Sequence, residues 1–352
     1  MDQEPNMVFI SMFICFVILV LMVTYIVAQQ LKHTCPTDNR AQLVGMGPTF
    51  NMLLRDYYIK SSYNSCSTGQ FKNDWVNLCA LTNVISQGCR VLDFELYMVN
   101  DRAVVATSNS TKYTEKGTYN SIPVDDVLLH IASRAVSSSR STEDCPNSYD
   151  PLLLHFRIKS SNLDIYNQLA DSLITHLGSK LLPSDFSYEN KGRNLGMVPI
   201  QTLMGKVIIM VDMIQNNHIL GTKMGELVNI LGKSVFLRSL PYNDVIHTPD
   251  MDELIEFNKK NMTIGTPNMS YKSSNYNSSI VMQYGVQMAA MCFQTNDAFL
   301  QAYNTLFNDS AFILRDATFR FTPVHTDEPP IPNKKLSPGY TEYKSNYYEF
   351  KL

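Results

Sequence analysis
Residues 271–295 read YKSSNYNSSIVMQYGVQMAAMCFQT. Within this stretch VQMAAMCFQ (286–294) is a mainly apolar run of strand length, read as a strand buried in a core. Working outward, further strand candidates are VLDFELYMV (91–99), AVVAT (103–107), PLLLHFRIK (151–159) and KVIIMVD (206–212). Helical patterns lie between them, at 73–88 and 162–182. Strands that alternate with helices predict an α/β fold built on a parallel sheet, open or closed. Residues 214–240 show no clear strand and read as a connector. No internal repeat is found.

The ends of the chain differ from this middle. Val8–Ala28 carries no charge over 21 residues. As a helix it would be about 31 Å long, enough to cross a bilayer. Asp2 and Glu4 precede the run, where a cleaved signal peptide wants positive charge, so a retained transmembrane anchor over residues 1–30 is expected. Lys32, His33 and Arg40 follow the span and place the bulk of the chain in the cytosol by charge. Sequons at Asn109, Asn261, Asn268, Asn277 and Asn308 argue for the lumen, so orientation stays open. Residues 31–50, with Pro36 and Pro48, read as a linker. Residues 324–352, with Pro329, Pro330, Pro332 and Pro338, read as an extended or disordered tail.

Composition sets limits. Of 352 residues 45% are apolar, enough to fill a large core. The net charge is −3, and no basic excess calls for nucleic acid. Seven cysteines show no CxxC and no zinc spacing, so they read as free or core thiols.

Several strings, taken in order, resemble the X and Y regions of phosphoinositide-specific phospholipase C. KSSYNSC (60–66) is similar to the family's SSHNTY, and QGCRVLDFELY (87–97) to GCRCVELDCW. AVVATSNS (103–110) lies where YHGHT is expected. PLLLHFRIKSS (151–161) resembles the strand ending in SLENHCS, and LMGKVIIM (203–210) resembles LKGKILLK. Residues 271–295 resemble SSNYSPxxMWNxGCQxVALNFQT, the most specific of these matches. The resemblance covers about residues 54–320 and extends to reduced-site relatives in large DNA viruses and protists. It implies a (β/α)₈ TIM-barrel-like phosphodiesterase fold, closed or slightly opened, with its mouth at the C-terminal strand ends. An X-like half would span 51–213, a connector 214–240 and a Y-like half 241–323.

The family's chemistry is implied to be attack of the inositol 2-hydroxyl on phosphorus, helped by calcium and by two histidines at the ends of the first and third barrel strands. Carried over, the first histidine falls on Tyr63 and the second on Thr107. The calcium ligands fall on Asn64, Asp93, Glu95 and Arg157. The second lysine of the substrate strand falls on Met210, and the phosphate-gripping arginine and its aromatic neighbour fall near Ile264 and Thr266. Lys206, Ser273 and Ser274 remain as substrate-binding candidates.

Strand alternation puts His155, Arg157 and Lys159 on one face, and Asp93, Glu95 and Tyr97 on another. Arg157 would then stand where a calcium ligand is needed and pair with Asp93 or Glu95. His155 is a possible substitute acid or base, or a satisfied barrel histidine. Asn64 is a possible cap of the first strand-to-helix turn. No cofactor is expected, or calcium if the chain is active. Three functions follow: an impaired, membrane-anchored relative that binds a phospholipid head group or a protein partner; an active phosphoric diester hydrolase using other groups; or a structural virion membrane protein.

Overall fold
A computed structural model describes residues 4–31, 51–110, 115–136, 145–188, 194–212, 219–323 and 342–351. The expected linker beyond Leu31, His218 and the proline-rich part of the tail lie outside them.

The strands, in chain order, are β1 (Tyr57–Ile59), β2 (Ser61–Ser62), β3 (Val91–Val99), β4 (Arg102–Ala106), β5 (Ile122–Pro123), β6 (Leu152–Ile158), β7 (Val207–Asp212), β8 (Ile230–Leu231), β9 (Leu237–Pro241), β10 (Met262–Thr266), β11 (Met288–Met291) and β12 (Phe312–Leu314). Eight of them form one parallel path, β8-β7-β6-β3-β2-β11-β10-β9. This is a nearly closed TIM-type barrel. β8 and β9 are not hydrogen-bonded to each other, which leaves a seam. The antiparallel pair β1 and β12 joins the start of the barrel chain to its end.

Alternation sorts the side chains into two cores. Val91, Leu153, Ile208, Leu237, Met262 and Met288 meet inside the barrel. Leu92, Phe94, Leu154, Phe156, Ile209 and Val211 face outward and pack on the helices. Because both faces are covered, β6 and β7 are buried almost throughout. Each fully buried Leu, Ile, Val or Phe contributes roughly 1.5–3 kcal/mol of transfer free energy. The helices Leu78–Ser86, Val124–Arg134 and Asp164–Leu177 contribute to the outer layer. Asn77 caps the first by accepting from the Cys79 N–H.

Four expectations are corrected here. AVVAT is not a barrel strand: β4 runs antiparallel to β3, because Asn100 and Asp101 both take positive φ and make a two-residue hairpin turn. The 214–240 stretch does contain strands, β8 and most of β9. The first has only two residues and the second reads LRSLP, so neither shows an apolar run. The tail is not wholly extended or disordered, since Glu342–Lys344 and Glu349–Lys351 pair as an antiparallel hairpin. Finally, Cys79 is not a free thiol: it is disulfide-bonded. Cys66, Cys89, Cys145 and Cys292 are buried free thiols.

The helix Glu4–Leu31 contains one segment, Met7–Val27, long and apolar enough to span a membrane.

Candidate functional site
The inner face of the barrel changes from apolar to charged towards the mouth. Register places Asp93 beside His155 and Glu95 beside Arg157. It also places His155 beside Met210, and Arg157 beside Asp212. Strand pleat then aims these alternate side chains at the barrel axis. Asp93 and His155 are fully buried, and the Arg157 side chain is only 13% exposed.

Arg157 sits at the centre of this layer. Its Nε donates to Asp93 Oδ2 (2.9 Å), and Nη2 donates to Asp93 Oδ1 (2.7 Å) and to Asn64 Oδ1 (2.9 Å). Nη1 donates to Glu95 Oε1 (2.6 Å) and to the Tyr63 hydroxyl (3.1 Å). A guanidinium has five N–H groups, and all five are used. Its carbon also lies 4.4 Å from the centre of the Tyr63 ring, a cation–π contact.

The acceptors are equally engaged. Asp93 Oδ1 also takes the Asn64 N–H (3.0 Å), and Oδ2 also pairs with His155 Nδ1 (2.8 Å). Glu95 Oε2 accepts from the Tyr97 hydroxyl (2.7 Å) and the Ser108 N–H (3.0 Å). Asn64 reaches its place through a left-handed backbone, φ 46°, which asparagine tolerates better than most residues. On the far side, His155 Nε2 lies 3.4 Å from Asp212 Oδ1.

Burial alone would neutralise these groups, but mutual attraction outweighs it. Burial pushes the Asp93 carboxyl up; Arg157 and His155 hold it well below the usual carboxylate range. Burial pushes the His155 imidazole down; Asp212 first and Asp93 second raise it to about 9. Burial pushes Asp212 up, yet His155, with hydrogen bonding from Ser239, keeps it low. Burial lowers the Arg157 pKa, and Asp93, Tyr63 and Glu95 more than reverse that. Arg157 and His155 are therefore held as cations against the Asp93 and Asp212 carboxylates.

These oxygens do not fit a calcium ion. The guanidinium touches Asn64, Asp93 and Glu95 at hydrogen-bond distance, and a divalent ion there would lie against a fixed positive charge. Among the described residues no group of three or more His, Cys, Asp or Glu side chains could hold a metal ion.

Above this layer, the chain between Ser67 and Val76 crosses the mouth. The Phe71 ring meets the Tyr63 ring edge-on at 5.4 Å. The Thr107 hydroxyl donates to the Phe71 carbonyl (3.0 Å). Gln294 Nε2 donates to the Gly69 carbonyl (3.3 Å), and Gln70 Oε1 accepts from the Ser273 N–H (2.8 Å). The positions matching both family histidines, Tyr63 and Thr107, thus lie against the same segment.

Several candidates fall elsewhere than expected. Lys206 precedes β7 and sits at the N-terminal end of that strand, away from the mouth. Six residues of strand place it roughly 20 Å from the mouth end, so it cannot touch a ligand there. The Ser273 hydroxyl is 2.8 Å from the Thr295 hydroxyl and 7% of the residue is exposed, so it joins two loops. Ser274 is exposed on the rim. Thr107 directly follows β4, which is antiparallel and not a third barrel strand. Met210 and Ile264 are apolar members of the inner core. Asp212 and Ser108 were missed, whereas Tyr97 lies on the Asp93 and Glu95 face as alternation placed it. For Asp212 the signal was present, since alternation from Met210 points it inward.

Comparison with known proteins accounts for this framework. The X-domain profile of phosphatidylinositol-specific phospholipase C matches residues 50–212, and its Y-domain profile matches residues 233–317. PLC21 of S. officinalis superposes with a TM-score of 0.64 at 19% identity, over 81% of this chain and 39% of that one. PLC21 of L. pealei gives 0.64 and 19%, over 80% and 39%. A calcium-dependent phosphoinositol-specific phospholipase C from Pseudomonas sp. gives 0.46 and 8%, over 73% and 95%. The chain therefore spans about two-fifths of the length of either PLC21 structure. No curated protein matches it by sequence. With X-domain and Y-domain matches falling on the two arms of one barrel, the chain belongs to the phosphatidylinositol-specific phospholipase C family.

Proposed function
We propose that this protein is a membrane-anchored phospholipase C-like barrel that has lost metal-dependent phosphodiester cleavage and works by binding a phospholipid head group or a protein partner. The observation that carries this reading is the saturation of Arg157. Its five N–H groups are spent on Asp93, Glu95, Asn64 and Tyr63. It therefore has no donor left for a phosphate, and it neutralises the carboxylates a cation would need.

The alternative of an active hydrolase using other groups finds less support. His155 is fully buried between Asp93 and Asp212. The Thr107 hydroxyl is committed to a backbone carbonyl. Burial raises the Tyr63 phenol far above neutrality, which unsuits it as a base. Membrane attachment is supported by the Met7–Val27 segment, whose side chains are exposed throughout.

The test is turnover by the full-length chain, purified in detergent, of phosphatidylinositol with and without calcium. The expected result is no release of inositol phosphate above background in either condition. Release that a chelator abolishes overturns the proposal. Resistance of the full-length chain to alkaline extraction from membranes checks the anchor independently.

A further inference from the structure
The axial mouth is roofed by residues 69–71, but a separate cleft of about 590 Å³ opens on the rim, where β9 and β10 end. That volume lies in the range of small-ligand sites. Tyr242 follows β9, Asn268 follows β10, and Asn277 and Tyr276 come from the loop that leads into the helix Ser278–Gln283. Phe299, 46% exposed, closes one side. The Tyr242 and Tyr276 rings stack at 4.9 Å. Tyr276 is fixed by its hydroxyl, which donates to the Gly265 carbonyl (2.9 Å).

The polar groups of the cleft are one-sided. Asn268 Oδ1 is consumed by the Asn243 N–H (2.8 Å), and Asn277 Oδ1 by the Ser279 N–H (3.1 Å). Both amide groups are therefore oriented, and each keeps an Nδ2 that makes no hydrogen bond among the described residues. The exposed Ser274 hydroxyl adds a further polar group. Among the described residues no Lys, Arg, Asp, Glu or His lines the cleft. Fixed neutral donors beside aromatic faces match a ligand rich in oxygen acceptors with apolar C–H faces. A phosphate or carboxylate would find no charge to balance its own.

We propose that this rim cleft binds an uncharged polyhydroxylated ligand, a sugar or polyol, either free or as the head group of a lipid. The proposal goes beyond the phospholipid or protein ligand named above, since it places an unphosphorylated ligand at this cleft, and it rests on that reading only for the idea that the barrel works by binding. Turnover measurements and the binding measurement below fail independently.

The test is saturation-transfer NMR on the full-length chain in nanodiscs, with myo-inositol, methyl β-galactoside and inositol 1-phosphate as probes. Asn268→Asp and Asn277→Asp each keep the Oδ1 that the fold uses, while replacing the donor with a negative charge. Binding of the neutral probes should weaken roughly tenfold or more in the double variant, at unchanged melting temperature. Competition of methyl β-galactoside by nanodiscs that carry a galactosyl diglyceride assigns the ligand to a lipid; displacement by soluble sugars alone assigns it to a free compound. No transfer from either neutral probe, transfer unaffected by the two substitutions, or tighter binding of inositol 1-phosphate than of myo-inositol overturns the proposal.

Discussion

Asp93 and Arg157 meet in a two-pronged pair, Nε to Oδ2 at 2.9 Å and Nη2 to Oδ1 at 2.7 Å, on adjacent parallel strands and almost out of contact with water. Breaking a buried pair from one side leaves the other charge unsolvated, at a cost of about 3–5 kcal/mol. Arg157→Met should cost that much in urea unfolding, because Asp93 and Glu95 would then lose the guanidinium that pairs with both. A loss below about 1 kcal/mol would mean that the pair does not hold the layer together.

Replacing the guanidinium with a carboxylate inverts the site. Arg157→Glu gathers four oxygen-bearing side chains at one point, the replacement plus Asn64, Asp93 and Glu95, which suits a calcium ion. The variant should be unstable in chelator and gain several degrees in melting temperature when calcium is added, while the native chain gains none. Equal calcium response in both chains would refute the assignment of this point as a former cation position.

The pH dependence of stability has a definite sign. His155 is raised from 6.5 to about 9 in the folded protein. Its contribution is complete below pH 6.5 and is lost as pH climbs through about 9. Asp93 is lowered by Arg157 and His155, so its contribution is present above 3.8 and is lost as pH falls through its depressed value. The melting temperature should decline between pH 6.5 and 9, and His155→Gln should flatten that alkaline limb. An unchanged alkaline slope in the variant would place the titration on another group.

Gly232 offers a control on geometry alone. A methyl group there would collide with the Asp212 carboxylate, whereas one at Gly178 meets nothing within 4 Å. Gly232→Ala should therefore destabilise by about 1–3 kcal/mol through displacement of Asp212. Gly178→Ala, in ordinary right-handed backbone, should be neutral or stabilising by about 0.4–1 kcal/mol. Thermal melts of the two variants side by side would separate these outcomes.

The barrel was readable because its long strands carry unmistakable patterns. The strand expected at 91–99 is the strand observed, Val91–Val99, and PLLLHFRIK contains Leu152–Ile158. Alternation also put Asp93 with Glu95 on one strand face and His155 with Arg157 on another, the faces that register then brings together. What escaped was short or non-local. β8 has two residues and no pattern to detect. Lys206 was misplaced because a local string match does not say which end of a strand faces the mouth. The crossing of residues 69–71 over Tyr63 and Thr107 depends on contacts with Ser273 and Gln294, more than 200 positions away, which no local pattern encodes.

A counter-ion that belongs to the polypeptide cannot be diluted, chelated or exchanged. In this barrel the positive charge beneath the mouth is a side chain that arrives with translation and leaves only with degradation, so Asp93 and Glu95 keep their guanidinium partner whatever metal ions surround the protein.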